Sequence, residues 1–253
     1  MVDRTSGVPV HRQVATDLRK RILAGEYAPG DRLPSERHMV ESYGVSRLTV
    51  REALNILRTE GVVVTVRGRG VFVRASATIH RLARSRLSPA ARAAGRGAFL
   101  TEADAHGFTP AVEVAVSFER ADERVAGHLG VAPGTEVTVR DRWMRADGVV
   151  VQLAVSRLPR RLTRGTRIEE PDAGPGGSYA RLVEAGQAIG YFTEDVGSRM
   201  PTPDEMSVLR LGPGIPVVTV TRVAHDRDGA ALEVNDMVLP AHRYRLSYEF
   251  SAE

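Results

Sequence analysis

Residues 33–57 constrain the fold more than any other stretch. Leu33-Pro34-Ser35-Glu36-Arg37 leads, through Tyr43-Gly44-Val45, into Ser46-Arg47-Leu48-Thr49-Val50-Arg51-Glu52-Ala53-Leu54. The pattern reads as two short helices joined by a tight turn at Gly44. The second opens on a small hydroxyl residue and carries arginines one turn apart. That is the layout of a helix-turn-helix, whose second helix enters a DNA major groove.

The spacing supports this in detail. Ser46 is placed to cap the second helix by accepting a bond from a free first-turn amide. Val50, Ala53, Leu54 and Leu57 fall at i, i+3, i+4 and i+7, so one stripe faces a core. Arg47 and Arg51 lie on a neighbouring stripe, with Arg58 beyond them. An arginine bonding O6 and N7 of guanine gives about 1–3 kcal/mol of base discrimination. Ser46 and Thr49 are short enough to reach phosphate oxygens at the helix start. Two arginines alone would fit an ordinary solvated helix face equally well. Their company within one two-helix unit, followed by a wing, favours the nucleic-acid reading.

That wing is predicted over residues 61–73. Gly61-Val62-Val63-Val64-Thr65-Val66 is a β-branched run, Arg67-Gly68-Arg69-Gly70 a basic turn, and Val71-Phe72-Val73 a returning strand. Such runs around a glycine-containing tetrapeptide make a hairpin. Arginines in its turn suit the enhanced negative potential of a narrow minor groove.

The charge is segregated accordingly. Residues 1–75 hold 13 Arg/Lys against 8 Asp/Glu, and residues 76–100 hold 5 Arg and no acid, whereas the remainder holds 17 against 23. An electrostatic footprint for phosphate thus lies in the first hundred residues. With 253 residues there is room for two domains, each with its own core. The absence of cysteine excludes disulfides, thiolate catalysis and zinc fingers. No apolar run has membrane-spanning length and no apolar signal region opens the chain, so a cytoplasmic, nucleoid-associated location is expected. The Ala-, Arg- and Ser-rich stretch 76–96 reads as a linker between a DNA-binding domain (1–75) and a second domain (97–253).

The second domain mixes strands and helices. Strands are predicted at 112–116, 136–144, 149–155, 217–223, 231–239 and 243–250, with hairpin turns at Asp147-Gly148 and Asp228-Gly229. Helices are predicted over 122–129 and from Gly177 and Thr202, the last with a proline in its first turn. Hairpins with helices between them indicate an α+β fold with an antiparallel sheet.

Over roughly residues 8–74 the chain resembles the winged-helix domain of the GntR family of bacterial transcription regulators. The carriers are Pro9, a first helix with Val14, Leu18 and Ile22 on one face, Gly30-Asp31-Arg32-Leu33-Pro34-Ser35-Glu36, Val45-Ser46-Arg47, Thr49-Val50-Arg51-Glu52-Ala53-Leu54 and Gly68-Arg69-Gly70-Val71-Phe72-Val73. The resemblance implies DNA contacts from Arg37, Ser46, Arg47, Thr49, Arg51, Arg67 and Gly68. Leu48 stands where the family often has a second hydroxyl. Operators in the family often contain a GT…AC pattern, whose guanines Arg47 and Arg51 would read.

Residues 97–251 resemble the UTRA effector domain of the HutC subfamily. The resemblance rests on the order of Gly107-Phe108-Thr109-Pro110, Arg142 through Ala146-Asp147-Gly148, Leu158-Pro159, the helix start at Tyr179, Thr219 to Asp228-Gly229, and Arg243-Tyr244. It implies a chorismate-lyase-like fold that dimerises through its sheet and binds a small effector beside it. Binding would alter the spacing of two DNA-binding heads and usually release the operator. Arg142, Tyr179, Glu233, Asn235 and Arg243 are the candidate effector residues. Glu233 and Asn235 share one strand face, and a merely solvated face would show the same pattern. Members that bind phosphosugars carry Arg-x-Arg before the hairpin turn; here Met144 takes the second position, Ala154 replaces a Glu, and Gly177 replaces a Ser. Losing half of a bidentate phosphate clamp argues against a sugar phosphate and for a larger or less charged metabolite. Of Trp143 and Met144, which alternate, one is expected in the core.

These features predict a ligand-responsive repressor, a homodimer on a palindromic operator. The alternative is a repressor that binds DNA without any effector. An enzyme is not expected. The seven histidines are scattered, no G-x-S-x-G motif occurs, and the only lysine, Lys20, lies in the first helix, so a pyridoxal-phosphate branch has no Schiff-base lysine. No cofactor or metal is expected.

Overall fold

The computed structural model describes residues 3, 5–66, 68–74, 79–82, 98–212 and 214–249. Its contacts divide the chain into two units, Met1–Ala77 with Met200–Ile215, and Thr78–Arg199 with Pro216–Glu253.

The first unit is built on three helices, α1 (Val10–Leu23), α2 (Glu36–Tyr43) and α3 (Arg47–Thr59), and a hairpin of β1 (Val63–Val66) and β2 (Gly70–Val73). Ser35 caps α2 through the amide of His38, and Ser46 caps α3 through the amide of Thr49. Between them Gly44 ends α2 at φ +62°, a left-handed turn that a side chain would strain. The predicted stripe Val50, Ala53, Leu54 and Leu57 is buried against Val14, Ala15, Leu18, Leu33, Met39, Val63 and Val73. One apolar cluster therefore joins every element of the winged helix.

The second unit is a six-stranded antiparallel sheet in the order β4-β5-β6-β9-β8-β7. Its strands are β4 (Pro110–Arg120), β5 (Glu136–Ala146), β6 (Val149–Pro159), β7 (Ile189–Arg199), β8 (Val217–Asp226) and β9 (Ala231–Pro240). The helices are α4 (Ala98–His106), α5 (Glu123–Leu129), α6 (Arg160–Thr163) and α7 (Gly177–Glu184). Alternation sorts the sheet into two faces. On one face α5 covers Val137, Val139, Val223 and Val234. The other carries two apolar clusters. Met144, Ala154, Val220, Met237 and Leu239 pack with Phe99 and Ala103 of α4, and Leu158 packs with Ile168 and Leu182. Between these clusters lies a belt of polar side chains.

The structure departs from the sequence reading in four places. A strand (β7) and a helix (α4) occur where none was predicted. The strand predicted over 243–250 is a short one, β10 (Tyr244–Ser247), and it pairs in parallel with β3 (Ile79–Leu82), outside the antiparallel sheet. β3 itself falls inside the stretch read as a linker; most of that stretch lies outside the described residues. The β7–β8 connection, with helix α8 (Pro203–Val208), groups with the first unit instead of the sheet. Met144 is buried and Trp143 half-buried, so the methionine is the core member of that pair.

Candidate functional site

The outward side of α3 is set by its buried stripe. With Val50, Ala53, Leu54 and Leu57 turned inward, Arg47 and Arg51 are left exposed and Thr49 half-buried. The hydroxyls of Ser46 and Thr49 lie 2.9 Å apart, while Ser46 Oγ accepts the Thr49 amide at 3.1 Å. Arg51 donates to Glu36 of α2 at 3.0 Å, and Arg37 donates to Glu41 at 3.0 Å, both on the surface. Exposed pairs of this kind contribute about 0–1 kcal/mol, so neither arginine is tightly held by its carboxylate. Leu48 is 67% exposed at the start of α3, an apolar residue with no core to fill. Gly68 sits in the wing turn, and Arg69 lies over the Phe72 ring at 5.6 Å. Arg67 falls outside the described residues.

In the second unit the belt brings together four of the five candidate effector residues. Arg142 (β5) donates through Nη2 to Ser156 Oγ and, at 3.1 Å, to Asn235 Oδ1. Its Nε is buried and bonded to no described residue. Tyr179, at the start of α7, donates its hydroxyl to Glu233, which is buried on β9. Burial, and then the Glu233 charge, push the Tyr179 phenol far above its ordinary pKa, so it stays a donor. Glu233 and Asn235 thus face a packed polar belt and not solvent. Arg243 is half-buried in the turn after β9; burial lowers its pKa, and no hydrogen bond or ion pair joins it to the belt among the described residues.

Sequence reasoning missed Arg140, Ser156, Arg222, Glu194 and Arg81. Arg140 shares the Arg142 face and donates to the carbonyls of Ile168 and Glu170, both at 2.5 Å, and of Pro171 at 2.9 Å. Burial, then the nearby Arg142 charge, bring it down to about 10. It is a structural brace, already committed, and does not replace the arginine missing at Met144. Strand alternation was the available signal, since Arg140 and Arg142 are two apart. Arg222 (β8) stands directly opposite Asn235 and beside Glu194 (β7). Glu194 Oε1 accepts from Arg222 Nε at 2.7 Å and from Arg81 Nη2 at 2.7 Å.

Comparison with known proteins gives this arrangement its context. The family model described as bacterial regulatory proteins, gntR family, matches residues 10–73, and the UTRA domain model matches residues 105–245. The chain belongs to the GntR family of transcription regulators. It is a regulator with a GntR DNA-binding domain and a UTRA effector-binding domain, the architecture of the HutC subfamily. An HTH-type transcriptional regulator of Streptomyces coelicolor is 33% identical over 249 residues, covering 96% of this chain and 93% of that protein. The HTH-type transcriptional repressor PhnF of Mycolicibacterium smegmatis is 32% identical, over 88% of this chain and 85% of that one. The PhnF crystal structure superposes with a TM-score of 0.61 at 29% identity, covering 95% of this chain and 100% of that one. These relatives are regulators and not enzymes by name. Among the described residues no helix is long and apolar enough to cross a membrane.

Proposed function

We propose that this regulator is a repressor that acts as a homodimer on a two-fold operator and changes its DNA affinity when a small effector binds. One observation carries the DNA half. The Ser46-capped helix α3 buries one stripe and leaves Arg47, Thr49 and Arg51 outward, beside a wing that bears Gly68 and Arg69. Arg47 and Arg51 read guanines, while Arg37, Ser46, Thr49, Arg67 and Gly68 position the backbone. Two-fold pairing follows from the usual match between protein symmetry and palindromic sites. The DNA-binding domain is taken as 1–75 and the effector-binding domain as 97–253, with 76–96 between them and with the 200–215 segment of the latter grouped in the DNA-binding unit.

The effector half rests on Arg142. It has no carboxylate partner among the described residues, and its buried Nε has no acceptor there either, so an anionic or acceptor group of a ligand completes it. Tyr179, Glu233 and Asn235 supply the neighbouring polar contacts, with Arg243 at the margin. A single arginine with no carboxylate partner among the described residues favours one carboxylate over a phosphate dianion. The names of two repressors among the relatives, PhnF and NagR of Bacillus subtilis, support repression over activation.

The test is a gel-shift titration against a duplex selected by the protein from a random pool. Arg51→Ala is expected to cost about 1–3 kcal/mol per half-site and to relax sequence preference at one position. Unchanged affinity and preference would remove Arg51 from the reading set. A thermal-shift screen of metabolites addresses the effector: hits abolished by Arg142→Ala support the site, and no hit across broad chemical classes favours the ligand-independent alternative.

A further inference from the structure

The buried cluster Arg81–Glu194–Arg222 has no counterpart in the candidate contacts to DNA or effector. Arg81 and Arg222 are 1% and 2% exposed, yet they share one carboxylate oxygen of Glu194, whose other oxygen accepts from Tyr248 at 2.8 Å. Glu102, also buried, acts electrostatically on Arg81, and Glu233 acts on Arg222, so several charges share one dry region, an expensive arrangement to bury. A fold that needed only packing would fill this space with apolar side chains.

The cluster's strands each lie next to a point where the chain passes between the two units. The chain passes between the two units three times, at 77/78, 199/200 and 215/216. Arg81 sits on β3, just after the first passage. Glu194 is on β7, which ends at Arg199 before the second, and Arg222 is on β8, which begins at Val217 after the third. The segment between the last two passages packs on the recognition helix. A Cβ placed on Gly214, at φ +77°, would stand 2.6 Å from Thr59 Cγ2 and 3.0 Å from the Thr59 carbonyl, at the end of α3. One placed on Gly61 would stand 3.5 Å from Ile215 Cδ1. Thr202 and Glu205 close a capping box on α8, and Leu209, Leu211 and Ile215 are buried, so the described residues of the segment form a strap.

At its other side the cluster touches the effector belt. Arg222 lies over the Phe192 ring at 5.8 Å, Phe192 packs on Tyr179 with centroids 5.4 Å apart, and Tyr179 bonds Glu233. Asn235, the partner of Arg142, is directly opposite Arg222.

We propose that Arg81, Glu194 and Arg222 are positioning residues that link the effector belt to the recognition helix through β7, β8 and the 200–215 strap. A ligand that shifts Tyr179 or Asn235 shifts Arg222, and the shared Glu194 carboxylate carries that change to the three strands that adjoin the passages to and from the DNA-binding unit. The proposal rests on the effector reading above.

Linkage is reciprocal, so DNA itself serves as the probe and no effector need be known. The full-length protein is saturated with its pool-selected duplex, and backbone hydrogen exchange is followed over 177–199 and 217–226. In the wild type, DNA binding is expected to change exchange there by about fivefold or more, the lower end of typical coupling. Glu194→Gln and Gly214→Ala should each still bind the duplex and abolish that change, leaving only the protection on α3 and the wing. Gly214→Ala lies outside the buried cluster and keeps the test alive if Glu194→Gln does not fold. No DNA-dependent change in the wild-type sheet, or an undiminished change in either variant, overturns the proposal. Failure of the effector reading shows itself elsewhere, as an empty metabolite screen.

Discussion

Glu194 shows how a single side chain acquires properties that its identity does not reveal. Burial pushes its pKa up, but Arg222 and Arg81 more than reverse this and hold it below the ordinary glutamate value of 4.5. Its contribution to stability is therefore full above the unfolded-state pKa and is lost as pH falls through the folded one. Glu194→Gln leaves two buried arginines short of their counter-charge, with an expected loss of about 3–5 kcal/mol near neutral pH. Urea unfolding should also show the variant losing less stability than the wild type on acidification from about pH 7 to about pH 3. An equal loss in both would mean that Glu194 is not ionised in the native cluster. Ser46 and Met144 behave more simply. A serine ahead of an apolar stripe was readable as a cap, and a methionine alternating with tryptophan was readable as one core residue of two. Arg140 was not readable in its actual role, because the carbonyls that occupy it come from a loop about thirty residues away.

At the level of elements, legibility follows amphipathicity. Helix α3 was readable because its apolar stripe has helical period and all four members are buried. Leu57→Ala at the centre of that cluster is expected to cost about 2–5 kcal/mol. The loss should show in calorimetry as a lower transition for the winged-helix unit, with the sheet's transition unmoved. A shift of both transitions together would mean that the units do not melt separately. Strand β7 was not readable. It is an edge strand paired only to β8, most of its residues are exposed, and Gly190 and Gly197 interrupt its pattern. Little burial means little selection for alternating apolar residues. Helix α4 gave no clear amphipathic signal either, since its short sequence mixes Phe99 and Ala103 with polar residues. β10 was recognised as extended, but its parallel partner β3 lies more than 160 residues upstream and could not be inferred locally.

Over the whole molecule, charge segregation is the property most visible beforehand and most directly testable. The basic excess of residues 1–75 predicts that DNA affinity falls linearly in log–log terms with salt. Arg69→Gln on the exposed wing should lower affinity roughly uniformly across sequences and reduce the magnitude of the salt slope by about 1 per half-site, or about 2 for the dimer, the share of the phosphates it would no longer neutralise. Fluorescence anisotropy at several salt concentrations measures both, and an unchanged slope would take Arg69 off the phosphate backbone. The division of labour between a DNA-binding and an effector-binding module was likewise legible, because each module carries its own hydrophobic periodicity. Its boundaries were less so. The strap at 200–215 is continuous in sequence with the sheet strands on either side, yet it packs in the DNA-binding unit.

The amino-acid sequence alone determined the winged helix, its outward arginines, the α+β character of the second module and the regulator family. All of these are encoded by short-range patterns, in which neighbours a turn or a strand pair apart must agree for any core to form. Only the tertiary structure decided which polar residues meet in the belt, that Arg140 is held by three carbonyls while Arg142 Nε has no acceptor among the described residues, and that Glu194 joins β3, β7 and β8. Those outcomes depend on strand order and on side chains brought together across as many as 113 residues of chain. Burial makes such polar contacts consequential, and no local pattern records them.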